Sequence, residues 1–364
     1  MRELLDLFIR WLHLIAGIMW IGNSMLFNWL DRNMKKQEGD PHLLGREYWL
    51  HGGGFYTVEK RTQPDGTLPP WFQIFKWQSY TTWISGFFLL AVVYYLSSGL
   101  QVDPTVANIS HGTGVAIGLG TLVGGFLIYD LLWRSPLGKH QNLAVAISLG
   151  LLFAVGYGLL MVLSPRAAFL HVGALIGTFM SGNVFFHIIP SQKKMVEKLQ
   201  AGGEHDLNLG AAAKTRSIHN NYLTFPMLFL MLSNHFPSVY GHGMAAVLLA
   251  VLILGGMATR HFMNIRYHFQ NWLPAMGGSI AVTAVAVFLL TAPPAPVAGA
   301  EATPVAFSEV EAVITQRCAT CHSAAPTDDV FKAPPGGVIL DNAAQFQAQA
   351  SRIHARSVAT KTMP

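Results

Sequence analysis

The sequence predicts an all-α fold, a polytopic membrane helical bundle of about eight transmembrane helices followed by a small separate domain. Three observations carry this. The chain of 364 residues is 51% hydrophobic and only 12% charged, against about 25% charged in ordinary soluble domains. Apolar windows close to the roughly 20 residues that cross a bilayer recur along it. The last of them runs into a Pro/Ala-rich stretch, beyond which the sequence turns polar.

The windows fall near residues 4–30, 78–98, 112–133, 142–163, 167–190, 222–236, 241–264 and 273–292, the sixth short and interrupted by Pro226. The first, "WLHLIAGIMWIGNSMLFNWL", continues into a basic stop and lacks the small-residue cleavage site of a removed signal peptide, so it reads as a retained helix. The net charge of +5 does not call for nucleic acid, because Lys and Arg gather in every second loop. Lys35, Lys36, Arg46, Lys60, Arg61 and Lys76 follow the first window, Arg134 and Lys139 the third, Lys193, Lys194, Lys198, Lys214 and Arg216 the fifth, and Arg260 and Arg266 the seventh. The intervening loops hold only Arg166. By the positive-inside bias the basic loops face the cytoplasm, and both termini lie outside.

The domain boundaries follow. Residues 1–292 form the membrane domain. Residues 293–304, within "APPAPVAGAEATP", make a semi-rigid extended spacer. Residues 305–364 form the outer segment. "GLGTLVGG" at 118–125 lacks the preceding strand of a nucleotide loop, so its glycines read as close helix packing.

The outer segment holds both cysteines of the chain, in "RCATCHSAAP". Cys318 and Cys321 two residues apart, with His322 directly after, match the attachment pattern of c-type haem: the thiols add to the haem vinyl groups and His322 ligates the iron. A disulfide or redox pair is the alternative, and a zinc site needs two more ligands. Met363 is the only Met after the motif and the candidate second iron ligand. His354, on a helix-like stretch over 342–357, is its rival.

A tethered electron carrier implies a donor, so ionisable residues within the spans were weighed as site markers. Histidines dominate. His13 shares a helix face with Gly17, Trp20, Ser24 and Phe27, a face expected to look inward. His13 and His171 lie at similar depth, so a haem b between them is one reading, and a buried His bonded to a backbone carbonyl is the other. A second polar set lies toward the basic loops: Asn183 and His187, Arg260 and Asn264 with His261, Asn220 and Asn221 with His219, and Gln78 beside Trp77. Such a set suits a flat, anionic, hydrogen-bonding ligand. Arg260 offers a fork of donors, Asn183, Asn264 and Gln78 match carbonyl and amide edges, and His187 accepts a ring proton. Interfacial anchoring is the alternative for each residue taken singly. Asp130 is expected to pair with Arg134, four residues on.

At this point the chain resembles the bacterial membrane-bound urate oxidases (urate hydroxylases) with a C-terminal cytochrome c domain. The likeness rests on "RWLHLIAGIMWIGNSMLFNWLDR", "SGNVFFHIIPSQ", "SIHNNYLTFPMLFLMLSNHFP", "ATRHFMNIRYHFQNW" and the haem motif after a Pro/Ala linker. It implies two-electron oxidation of urate to 5-hydroxyisourate in purine degradation, with electrons leaving through the cytochrome instead of forming hydrogen peroxide. The site is then in the inner membrane, with the cytochrome segment on the periplasmic side and a downstream cytochrome or terminal oxidase as acceptor. The family's cytochrome continues past the axial Met into a final helix, so 305–364 is expected to be a truncated cytochrome c-like domain. Two other classes fit the residues alone: a quinol-to-cytochrome electron-transfer protein, and a transporter or assembly factor with a haem c redox sensor.

Overall fold

The computed structural model describes residues 2–36, 38–62, 71–96, 100–203, 207–292, 305–328, 331, 333–359 and 363, so the spacer expected at 293–304 lies outside the described residues. The fold is an all-α bundle with long helices at all eight expected places. These are α1 (Arg2–Asn33), α2 (Trp77–Leu90, extended by a π turn Ala91–Tyr95), α3 (His111–Arg134) and α4 (Gln141–Leu160), then α5 (Pro165–Gly182), α6 (Leu207–Leu232), α7 (Ala245–Ile265) and α8 (Trp272–Thr291). α5 does not stop at Gly182 but continues through a π turn, Asn183–Ile188, into Ile189–Gln200.

Six of these helices are long and apolar enough to cross a membrane by themselves. The other two are α2, which loses its regular turn after Leu90, and α6, whose first half, "LNLGAAAKTRSIHNN", is polar. The structure corrects the expected short sixth helix. α6 begins at Leu207 and runs through Pro226. A proline removes one backbone donor and crowds the preceding turn, which a neighbouring helix can accommodate inside a bundle. Gly256 of α7 provides the space: a Cβ there would sit 3.1 Å from the Pro226 nitrogen.

α5 is the axis of the bundle. It packs against α2, α3, α4 and α6, and Phe169, Val172, Leu175 and Ile176 on it are fully enclosed. α8 is the opposite case. None of its residues is buried, and Val282, Phe288 and Leu289 point outward, as expected of a helix whose solvent is lipid. The π turn at Asn183 lies just ahead of Pro190, which cannot donate to the turn below it. A widened turn there is the usual accommodation, and it sits where the polar residues of α5 begin.

The sequence pattern did not reveal a two-stranded antiparallel hairpin between α1 and α2, β1 (Leu43–His51) with β2 (Gly54–Arg61). It turns on Gly52 and Gly53, both at positive φ, which glycine adopts without strain. An ion pair from Lys60 to Asp31 ties it to the end of α1, and one from Arg61 to Asp40 ties it to the loop that leads into β1.

The outer segment has its own small core. α9 (Phe307–Arg317) supplies Ile314, which meets Leu340 and Phe346, with Cys318, Val338 and Ile353 against them. Two short helices follow, α10 (Ala343–Ala348) and α11 (Ala350–Ile353), ending in a π turn, His354–Ala359.

Gly256→Val is expected to lower the thermal unfolding temperature in detergent, because branched carbons at 3.1 Å from backbone force α6 and α7 apart, at about 1–3 kcal/mol. Gly150→Val, where nothing lies within 4 Å, is the control. Equal unfolding temperatures in the two variants would refute the close approach.

Candidate functional site

A cavity of about 1260 Å³ opens at the end of the bundle that carries the basic loops. Its wall is built from α1 (Trp20, Asn23, Ser24, Phe27, Asn28), the start of α2 (Gln78), α5 (Met180, Val184), α6 (Asn220, Asn221, Thr224) and α7 (Asn264). At the mouth the hairpin adds Glu59 and Arg61, beside Arg32 and Lys214. The inward face expected for α1 is therefore seen in Trp20, Ser24 and Phe27. The floor is a set of neutral amides. Two of them carry a buried oxygen with no hydrogen-bond partner, Gln78 Oε1 and Asn264 Oδ1. A buried unpaired acceptor costs about 1–3 kcal/mol, which a ligand donor would recover.

Arg260 lies behind this floor rather than in it. It is 2% exposed, its Nε donates to Asn221 Oδ1 at 3.1 Å, and its guanidinium lies 5.3 Å from the Phe225 ring centre. Asn264 Nδ2 donates to the same Asn221 oxygen at 2.6 Å. Among the described residues no carboxylate pairs with Arg260, and the charges nearest in effect, Arg266 and Arg32, are also positive. The acidic groups at the mouth are already taken: Asp31 by Lys60, and Glu59 by Arg46 and Arg61. The cavity thus joins apolar and aromatic side chains to a cluster of amides backed by positive charge, an arrangement that favours an anion with a ring.

Two residues expected in this pocket lie outside its lining. Asn183 is fully buried one layer back, its Nδ2 donating to Asn220 Oδ1 and to the Tyr129 hydroxyl, both at 2.9 Å. It holds Asn220, which does line the cavity. His187 faces away. Its Nε2 donates to Asp130 Oδ1 at 2.5 Å, an oxygen that also accepts from Arg216 Nη2 at 2.9 Å. The helical pairing expected between Asp130 and Arg134 is present but long, 3.5 Å, so the chief partners of Asp130 come from α5 and α6. Arg216 also lies over the Tyr129 ring, 5.3 Å from its centre, and the Tyr129 hydroxyl is hydrogen-bonded to His219 Nδ1 at 2.7 Å. A sequence reading could not weigh Asp130 rightly, since its partners are 57 and 86 residues away.

The histidine pair expected for haem b is held on both sides by hydrogen bonds to backbone carbonyls. His171 has both ring nitrogens engaged, Nδ1 with the Ala167 carbonyl at 2.7 Å and Nε2 with the Tyr95 hydroxyl at 3.1 Å. His13 Nδ1 is bonded to the Thr82 carbonyl at 2.9 Å, fixing α1 to α2. A backbone carbonyl at Nδ1 is common to a packing histidine and to one that ligates a metal through Nε2.

The outer segment does fit haem c. Cys318 and Cys321 are free thiols on one turn at the end of α9. His322 Nδ1 lies 3.1 Å from the Val338 carbonyl. A carbonyl only accepts, so Nδ1 carries the proton and Nε2 keeps its lone pair for iron. Burial pushes both thiols up, with Asp328 adding to the effect at Cys321. Among the described residues no three His, Cys, Asp or Glu side chains converge on one point, which leaves the zinc alternative without its ligands. Met363 is exposed, its amide donating to the Arg356 carbonyl at 3.2 Å. His354 begins the terminal π turn.

Asp130→Asn removes the counter-charge of a buried arginine, and is expected to lower stability by about 3–5 kcal/mol, read as a fall in unfolding temperature in detergent; an unchanged temperature would show that Arg216 has another anion. Cys318→Ala with Cys321→Ala is expected to remove the haem-stained band from denaturing gels while leaving the protein in the membrane fraction. A persistent band would place covalent haem elsewhere.

Residues 1–291 match the family model described as urate oxidase N-terminal. No curated protein and no solved structure matches the chain.

Proposed function

From the premise that the chain belongs to the urate oxidase N-terminal family, which gives it an oxidative role connected with urate, we propose a membrane-bound urate oxidase that passes electrons to a covalent haem c. The observation that carries this reading is Arg260, a buried cation with no carboxylate beside it, behind a wall of amides with unmet acceptors. The urate monoanion supplies what that wall lacks: negative charge for the guanidinium, ring N–H groups for Gln78 and Asn264, and carbonyls for the amide donors.

Oxidation of urate to 5-hydroxyisourate adds the elements of water at C5 and releases two electrons and two protons. The cavity residues bind and orient the ring, and the aromatic groups Trp20 and Phe27 restrict bulk water around it. Cys318, Cys321 and His322 would hold the haem, which when bound supplies a one-electron acceptor. In this reading the basic loops and the cavity face the cytoplasm, where purine breakdown releases urate. The haem segment faces the periplasm, with a downstream cytochrome or terminal oxidase as its acceptor. Met363 is the proposed second iron ligand. His187 is tied to Asp130 and Arg216 and takes no part in contacting the ring.

Mixed anaerobically with urate, the purified haem-loaded chain is expected to develop the reduced haem α-band, and in air it should form no stoichiometric peroxide. Arg260→Ala is expected to slow reduction at least about tenfold, or about 1.4 kcal/mol in the barrier, whereas His187→Ala slows it far less. A haem that stays oxidised, or peroxide at one equivalent per urate, would overturn the proposal.

A further inference from the structure

Arg260 does more than lend charge to the cavity, because it fixes which atom of each neighbouring amide is which. A guanidinium carries donors and no acceptor. The Asn221 atom 3.1 Å from Arg260 Nε must therefore be Oδ1. Asn221 Oδ1, being an acceptor, then requires that the Asn264 atom 2.6 Å away be Nδ2. Each step leaves one group over. Asn221 has spent its oxygen on two donors and keeps its Nδ2–H groups. Asn264 has spent its nitrogen and keeps Oδ1, which is buried with no partner. Both residues line the cavity. The amide pair at the wall thus has one spare donor and one spare acceptor, with a polarity set from behind by a charged group that cannot invert.

We infer that Asn221 and Asn264 form a reader for a lactam edge, the adjacent N–H and C=O of an oxidised purine ring, with Arg260 as the residue that positions it. The inference rests on the urate reading above and deepens it. Asn264 Oδ1 accepts the ring N–H, and Asn221 Nδ2 donates to the neighbouring carbonyl. A ring that carries an amino group and a bare ring nitrogen in the same orientation presents the opposite polarity, so it meets donor with donor and leaves buried groups unpaired. Sites of this kind discriminate strongly because a mismatched buried polar group has no water to turn to. Asn220 sits beside Asn221 in the same wall, but its oxygen is held by Asn183 and its nitrogen by the Met180 carbonyl, so it has no such pair to offer.

The test uses the full chain in detergent under anaerobic conditions, with equilibrium binding of urate and of its 1-, 3-, 7- and 9-methyl derivatives. Each methyl group deletes one N–H. The wild type is expected to bind urate and to lose at least tenfold in affinity for the derivative methylated at the nitrogen that Asn264 reads. Asn221→Asp keeps an acceptor for Arg260 and Asn264 but turns the free donor into an acceptor, and is expected to weaken urate binding at least tenfold without lowering the unfolding temperature. Asn264→Ala is expected to erase the penalty at that one methyl position. If Asn221→Asp binds urate like the wild type, if the Asn264→Ala profile keeps every penalty, or if no methyl position matters in the wild type, the lactam reader is wrong while the urate reading stands. If the wild type does not bind urate at all, both fall together.

Discussion

The hydrogen bond from Arg260 Nε to Asn221 Oδ1 is the contact from which the chemistry of the cavity follows. A charged donor in a bundle of apolar helices cannot be left without acceptors, because burial of a charge is costly unless it is hydrogen-bonded and neutralised. The helices meet the first demand internally through Asn221, with Phe225 lying against the guanidinium. They leave the second unmet. That division explains why the neighbouring amides have fixed orientations and why Asn264 keeps an oxygen without a partner. An anion bound in front of the wall completes the set.

The Asp130 cluster shows the same physics brought to closure. There Asp130, Arg216 and His187 satisfy one another, and Tyr129, Asn183, Asn220 and His219 extend the bonding from α3 through α5 to α6. Three helices are pinned at one level by groups that lipid cannot solvate. The π turn starting at Asn183 belongs to this arrangement: Asn183 opens it and His187 lies within it, so one turn of α5 serves both neighbours. The network reaches the cavity through Asn220 alone, which gives it a holding role and leaves recognition to α6 and α7.

Six of the eight helix positions were legible from length and apolarity, which are read directly from residue type. The inward face of α1 was legible for the same reason, through its three- and four-residue spacing. The hairpin was not, since its strands are polar and partly exposed and carry no strong alternation. Its register is set by the turn at Gly52 and Gly53 and by ion pairs to α1. The start of α6 was hidden because its first half is polar and helical at once. Gln78 and Asn264, grouped from the sequence, both line the cavity, and Arg260 lies behind it. Asn183 and His187 were grouped with them on depth alone, which ranks residues along the membrane normal and says nothing of which way around the helix axis they face.

The histidines carry the more general lesson. His13 and His171 drew attention because an ionisable group in a span is rare, yet each is held by the backbone of its surroundings, as buried polar groups commonly are. His171 is fully buried and has a partner for both nitrogens. What separates Arg260 from His171, and from Arg216, is the partner it lacks. Arg216 has Asp130, His171 has Ala167 and Tyr95, and Arg260 has no anion among the described residues. The energetic argument then runs in one direction: a site that keeps a buried cation uncompensated pays for it in stability unless a ligand returns the charge. Such a cost is borne where binding requires it, which is why the proposed substrate site is built on the uncompensated guanidinium rather than on the most unusual residue.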